Sequence, residues 1–270
     1  MSNWIRCFHP APEALVRLVC FAHAGGSASS YQPMSLALEG RVEILAVQYP
    51  GRQDRYAEPY TQSVNELVDA ALDALAPRLA DGRPVGLFGH SMGAVLAFEA
   101  ARRLSDGGIS PVALFVSARQ GPSLPWPSDD MPRLHEADDD TLVADLRLLG
   151  GVEDELLEHP ELLRLLLPVL RADYMALSKY EYRPGGMLQC PIVAFAGESD
   201  PRAPVDNVRS WRHEAYDSFD LHVLPGGHFF LEKQLPGVVK VLEATLLDGE
   251  SSSAGRPIPQ NARPYSLEPC

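Results

Sequence analysis

Pro84-Val85-Gly86-Leu87-Phe88-Gly89-His90-Ser91-Met92-Gly93-Ala94 decides how the rest of the chain is read. Pro84 to Phe88 is a short apolar run with the length of a buried strand. Gly89-His90-Ser91-Met92-Gly93 follows at once, and an Ala- and Leu-rich stretch leaves it as far as Leu104. Strand, sharp turn and helix in that order are what a nucleophile elbow requires. The turn forces Ser91 into a strained backbone conformation, and the two glycines leave room for close chain approach. The hydroxyl then stands at the carboxyl edge of a sheet and at a helix N-terminus, where developing negative charge is favoured.

Working outward, short β-branched runs alternate with helical patterns, as in a parallel sheet covered by helices on both faces. Leu15–Phe21, Val42–Val47, Val112–Val116, Pro191–Ala196 and Asp220–Leu224 read as further strands. Ser63 with Glu66 forms a capping box that opens a helix through Leu67, Leu72, Leu75 and Leu79. A last helix is expected from about Leu235 to Leu247. The alternation breaks once, over more than seventy residues between the strand ending near Ser117 and the one starting at Pro191. After Pro122, Pro125, Pro127 and Pro132, this interval turns helical over Asp140–Leu149 and over Pro160 to about Tyr180. In the second helix leucines go nearly all the way round. That pattern suits a helix buried on two sides, or a lid whose inner face lines an acyl channel. The domain is expected over residues 1–248, with the lid insertion at about 121–187. Residues 249–270, opening on Gly249-Glu250-Ser251-Ser252-Ser253, are expected to be a disordered tail.

A serine hydroxyl needs a base, usually a histidine held by a carboxylate. In the α/β-hydrolase arrangement these follow the nucleophile in the order acid, then histidine. Of the eight histidines, His135, His159, His213, His222 and His228 come after Ser91. His135 and His159 fall in the insertion, His213 in a helical pattern and His222 inside a strand. His228, in Pro225-Gly226-Gly227-His228-Phe229-Phe230, lies in a loop that returns to the carboxyl edge of the sheet. The acid is expected in Gly197-Glu198-Ser199-Asp200-Pro201. Asp200 is favoured because Pro201 pins the turn, with Glu198 as fallback. Acyl transfer also needs two backbone N–H groups facing the carbonyl oxygen. Met92 supplies one, and the loop His23-Ala24-Gly25-Gly26-Ser27 the other, through Ala24 or alternatively Gly25. The chain order gives His23 a structural role in that loop.

The bulk properties narrow the setting. A chain of 270 residues, 46% hydrophobic, suits one domain with a substantial core. With 36 acidic and 23 basic residues the formal net charge is −13, and no Lys/Arg cluster would track phosphates, so nucleic acid is not an expected partner. No apolar run is long enough to span a bilayer, and residues 1–6 carry no secretory pattern. Cys7, Cys20, Cys190 and Cys270 show neither a CxxC pair nor metal-ligand spacing. They read as free thiols of a cytoplasmic protein that needs no metal and no cofactor.

Five motifs then carry a resemblance. They are Cys20-Phe21-Ala22-His23-Ala24-Gly25-Gly26-Ser27, Tyr49-Pro50-Gly51-Arg52, Phe88-Gly89-His90-Ser91-Met92-Gly93-Ala94, Ala196-Gly197-Glu198-Ser199-Asp200-Pro201 and Gly226-Gly227-His228-Phe229-Phe230-Leu231. Over residues 3 to 247 the chain resembles the type II thioesterases of polyketide and nonribosomal peptide assembly lines. It departs in having Ala22 where many relatives have Pro. The resemblance implies an α/β-hydrolase fold with a helical lid. It also implies a stand-alone editing enzyme that frees stalled acyl groups from the phosphopantetheine arm of an acyl or peptidyl carrier protein. Ser91, Asp200 and His228 would carry the chemistry, with Ala24 and Met92 as the oxyanion hole. A chain-releasing thioesterase and a small-molecule carboxylesterase are the alternatives. Carrier proteins are usually acidic as well, so recognition is expected to rest on apolar contact and local arginines. Arg52, Arg55, Arg102, Arg103 and Arg119 are read as solvated positions, any of which could meet a phosphate.

Overall fold

The computed structural model describes residues 3–124, 133–150, 159–216 and 218–247. The expected tail, Pro125, Pro127, Pro132, Asp217 and Cys270 lie outside them. Seven strands form one sheet: β1 (Ile5–Arg6), β2 (Val16–Phe21), β3 (Val42–Val47), β4 (Val85–His90), β5 (Leu114–Ser117), β6 (Ile192–Gly197) and β7 (Phe219–Leu224). Their order is β1-β3-β2-β4-β5-β6-β7. All neighbours are parallel except β1 with β3. Every residue of β2 to β6 is buried, as strands covered on both faces must be. Edge strand β7 is only half-buried. This is the parallel α/β sheet expected from the alternation. The expected limits of Val42–Val47 are met, those of the other strands differ by one or two residues, and the two-residue β1 has no counterpart among the expected strands.

Eight α-helices are described: α1 (Gln32–Ala37), α2 (Val64–Leu79), α3 (Met92–Asp106), α4 (Asp139–Leu149), α5 (Pro160–Ser178), α6 (Val205–Val208), α7 (Phe230–Lys233) and α8 (Leu235–Leu247). The Ser63 hydroxyl accepts the Glu66 N–H at 3.4 Å, so Ser63 caps α2 at the expected position. Asp138 caps α4 through the Thr141 N–H, and Gly150, at φ 69°, ends it in the left-handed region. Helix α5 divides along its length. Leu162 and Leu165 are exposed, whereas Leu167, Val169, Leu170, Tyr174 and Leu177 are buried. The leucines that ring the helix therefore do not all face protein.

Chain order reverses between β2 and β4, which places a crevice at their carboxyl ends, where open α/β sheets bind ligands. Register makes this specific. Phe21 pairs with Gly89, so the loop after β2 and the turn after β4 are neighbours. Gly197 pairs with Leu224, so the loops after β6 and β7 adjoin as well. Among the described residues Cys7, Cys20 and Cys190 are free thiols. Cys20 is wholly buried in β2, and desolvation pushes its thiol well up. Cys190 is nearly buried and pushed up to about 11 for the same reason. No described helix is long and apolar enough to cross a membrane.

Candidate active site

Ser91 joins β4 to α3 at φ 54° and ψ −114°, a conformation that costs an ordinary residue of order 1–3 kcal/mol. Its surroundings enforce the turn. The Ser91 N–H donates to the Ser117 carbonyl at 2.8 Å. A Cβ on Gly89 would lie 2.0 Å from the Gly93 carbonyl oxygen, and one on Gly93 would lie 1.9 Å from that of Phe21. Both glycines of the pentapeptide are therefore demanded by backbone contact.

The loops after β6 and β7 are laced together. Glu198 N–H donates to Leu224 O at 2.8 Å, and Ser199 N–H to Gly226 O at 3.0 Å. His228 is thereby held with Nε2 2.9 Å from Ser91 Oγ and Nδ1 2.9 Å from Asp200 Oδ2. A carboxylate can only accept, so Nδ1 carries the proton and Nε2 is left to accept from the serine hydroxyl. Asp200 Oδ1 accepts the N–H groups of Arg202 (2.8 Å) and Ala203 (3.1 Å), which fix the carboxylate's aim. Asp200 and His228 are buried, and the fallback Glu198 is exposed. His222 stacks on Phe195 in β7, and His213 lies in a short 3-10 helix, Arg209–Glu214.

Two further histidines flank the site. His23 Nδ1 donates to Ala24 O at 2.9 Å, and its ring meets Phe229 edge-on. Burial, with the nearby His228, lowers its pKa to about 4. His90 shares a 2.9 Å hydrogen bond with the Ser117 hydroxyl, and burial pushes it well below the usual histidine range. Both are neutral at neutral pH, so neither opposes a positive charge on His228.

Ala24, Ser91 and His228 line one cavity with Leu146, Leu149, Leu170, Tyr174 and Leu177. The last five come from α4 and α5, so the insertion between β5 and β6 covers the serine. The enclosed space is about 20 Å³, room for little more than one water. The Met92 N–H is one of those that a helix's first turn leaves without an intrahelical acceptor. The Gly25 N–H, the other option for the oxyanion hole, is taken by Asp173 Oδ2 at 2.8 Å. Among the described residues the Ala24 N–H has no acceptor.

Three of the arginines read as solvated are buried: Arg52, Arg55 and Arg119. Arg52 forms a two-pronged ion pair with Asp173, both bonds 2.8 Å. Arg55 lies over the Trp4 ring and bonds Gln48 O and Glu58. Arg119 borders the cavity, and burial lowers its pKa to about 9. Arg102 and Arg103 lie nearer the surface, bonded to Arg183 O and to Asn65. Asp173, Tyr174 and Arg202 belong to none of the motifs that point to the site. Asp173 in the interior of a leucine-rich helix, far from the helix's first-turn acid Glu161, is the available signal. Tyr174 donates to Asp145, which is also paired with Arg202, next to the cavity.

Fold and site together define an α/β-hydrolase with a serine at its elbow. The family model described as a thioesterase domain matches residues 16–246, and the chain belongs to that thioesterase family, among the type II enzymes of polyketide and nonribosomal peptide pathways. It is a hydrolase acting on thioesters. The chain is 48% identical over 232 residues to thioesterase PikA5 of Streptomyces venezuelae, covering 86% of this chain and 81% of that one. Among solved structures it resembles the type II thioesterase BorB of the borrelidin biosynthetic cluster, with 43% identity and a TM-score of 0.80. That match covers 90% of this chain and 98% of BorB. It also resembles the thioesterase RedJ of the prodiginine pathway in Streptomyces coelicolor, with 36% identity, a TM-score of 0.79 and 88% of each chain covered.

Proposed function

We propose that the protein removes acyl groups from the phosphopantetheine arm of an acyl or peptidyl carrier protein in the cytoplasm, through an acyl-enzyme on Ser91. The observation that carries this reading is the unbroken run Asp200–His228–Ser91, with hydrogen bonds of 2.9 Å at both joints, opening on a leucine-lined space. Ser91 Oγ attacks the thioester carbonyl while His228 Nε2 takes its proton. The Ala24 and Met92 N–H groups receive the negative charge that forms on the carbonyl oxygen. The C–S bond then breaks, and His228 returns its proton to the departing thiolate. Water adds to the acyl-enzyme by the same route, with His228 again as base, and frees the acid. Asp200 holds the ring in one tautomer and stabilises its cation. Helices α4 and α5 act as the lid that keeps bulk water from the acyl-enzyme.

The deciding experiment measures hydrolysis of one acyl group on holo-carrier protein, on free pantetheine and as a p-nitrophenyl ester, with Ser91→Ala as control. Preference for the carrier-bound thioester, lost in Ser91→Ala, is the expected result. Strong preference for the oxygen ester would overturn the carrier assignment in favour of a carboxylesterase.

A further inference from the structure

The acyl-transfer steps leave one buried cluster unused. Asp173, on α5, is completely buried, and Arg52, in the loop after β3, is 7% exposed. Their two hydrogen bonds run in parallel, Nη1 to Oδ2 and Nη2 to Oδ1. Such a pair contributes little net stability, because desolvating both charges offsets their attraction, and apolar residues often serve as well. What this pair does have is a specific target. Asp173 Oδ2 also accepts the Gly25 N–H at 2.8 Å, and Arg52 Nη1 donates to Gly26 O at 2.9 Å.

Those contacts grip the loop at one peptide unit. Between Ala24 and Gly25, the carbonyl oxygen is held by His23 Nδ1 and the N–H by Asp173. With both ends of that peptide fixed, its plane cannot turn, and the Ala24 N–H on the near side of the same α-carbon is constrained in direction. Gly25, at φ 77°, reverses the chain immediately afterwards; the Gly26 N–H closes this turn on His23 O at 3.0 Å, and Asp173 and Arg52 tie it to α5 and to the loop after β3. Asp173 belongs to the helix whose Leu170, Tyr174 and Leu177 wall the cavity over Ser91.

We infer that Asp173, held by Arg52, is a positioning residue: it locks the Ala24–Gly25 peptide so that the Ala24 N–H faces the reacting carbonyl. The oxyanion hole is then complete only while α5 is seated over the serine. This rests on the Ser91 acyl-enzyme reading given above.

The test compares wild type with Asp173→Asn and Asp173→Ala, each rate normalised to active sites titrated with a fluorophosphonate. Two inhibitors are used with them. An acyl trifluoromethyl ketone becomes a tetrahedral oxyanion on Ser91, and an acyl-pantetheine amide stays planar. Expected is a fall in kcat of about 10-fold for Asn and about 100-fold for Ala, less than or comparable to deleting a hole donor outright. Ketone affinity should fall in step, with KM and amide affinity within about two-fold. A purely structural role would lower the number of titratable sites and leave the rate per site unchanged. If the Ala variant does not fold, the near-isosteric Asn variant decides alone. The inference is overturned if a folded variant keeps wild-type kcat and ketone affinity, or loses amide and ketone binding equally. Failure of the Ser91 reading would show instead in wild type, as hydrolysis without labelling at Ser91.

Discussion

At the scale of single residues, Ser91 carries a conformational cost that its chemistry does not explain away. Ser91→Ala keeps a Cβ at φ 54° and removes the nucleophile, whereas Ser91→Gly also relieves the strain. Both should lose activity by about a thousand-fold or more. The Gly variant should nonetheless melt higher than the Ala variant, by an amount equivalent to about 1 kcal/mol. Equal melting temperatures in calorimetry would show that the elbow is not strained. The two acids after β6 make a second contrast. Asp200 is buried against His228 and two backbone N–H groups, while Glu198 faces solvent. Asp200→Asn should cost kcat a factor of about 10³ to 10⁴ by spoiling the tautomer, and Glu198→Gln less than about two-fold. A severe Glu198 variant beside a mild Asp200 one in steady-state assays would reverse the assignment. Much of this was legible in the sequence, because elbow, acid and base each follow a strand end and obey a fixed chain order. Asp173 and Arg52 were not legible. They lie 121 positions apart, and no local pattern joins an arginine in one loop to an acid in a distant helix.

At the scale of elements, the insertion is where pattern and structure part company. Leucines ring α5, but Leu162 and Leu165 stay exposed while coverage deepens from Leu167 onward, and periodicity alone does not tell which positions meet a neighbour. Pro168, inside the helix, stands near that division, where it removes a backbone donor. Leu170 tests the arrangement, being buried in the cavity wall and placed so that a Cβ added to Gly25 would lie 3.5 Å from its Cδ1. Leu170→Ala should destabilise the protein by about 2–4 kcal/mol in urea unfolding. It should also raise kcat/KM for octanoyl- relative to acetyl-pantetheine, since the space beside Ser91 is only about 20 Å³. An unchanged chain-length ratio would place the acyl group elsewhere. The long helices were readable because their apolar periods run for many residues, and the central strands because each is a short, largely apolar run buried on both faces. The strand β1 was not, since two residues, Ile5 and Arg6, carry no period at all. Burial of Arg52, Arg55 and Arg119 was misjudged for a related reason: a charged side chain reads as exposed until its partner is known.

At the scale of the whole molecule, acid should be the weak side. His23 titrates near 4 in the folded chain against 6.5 when free, and His90 is also depressed. Between those values the unfolded chain binds more protons, so stability is full above about pH 6.5 and falls as pH drops toward 4. His23 alone should account for on the order of 2 kcal/mol of that loss. Urea midpoints measured from pH 7.5 to 4.5 should therefore decline, and a flat profile would mean that these rings are not held neutral in the folded chain. The three described thiols supply a clock for the same events. Cys20 is sealed in the central strand β2, Cys190 lies just before β6, and Cys7 is only partly covered near the sheet's edge. Among these three, an alkylating reagent offered to the native enzyme should mark Cys7 first, Cys190 later and Cys20 last. The delay before the last mark counts how seldom the whole sheet comes apart.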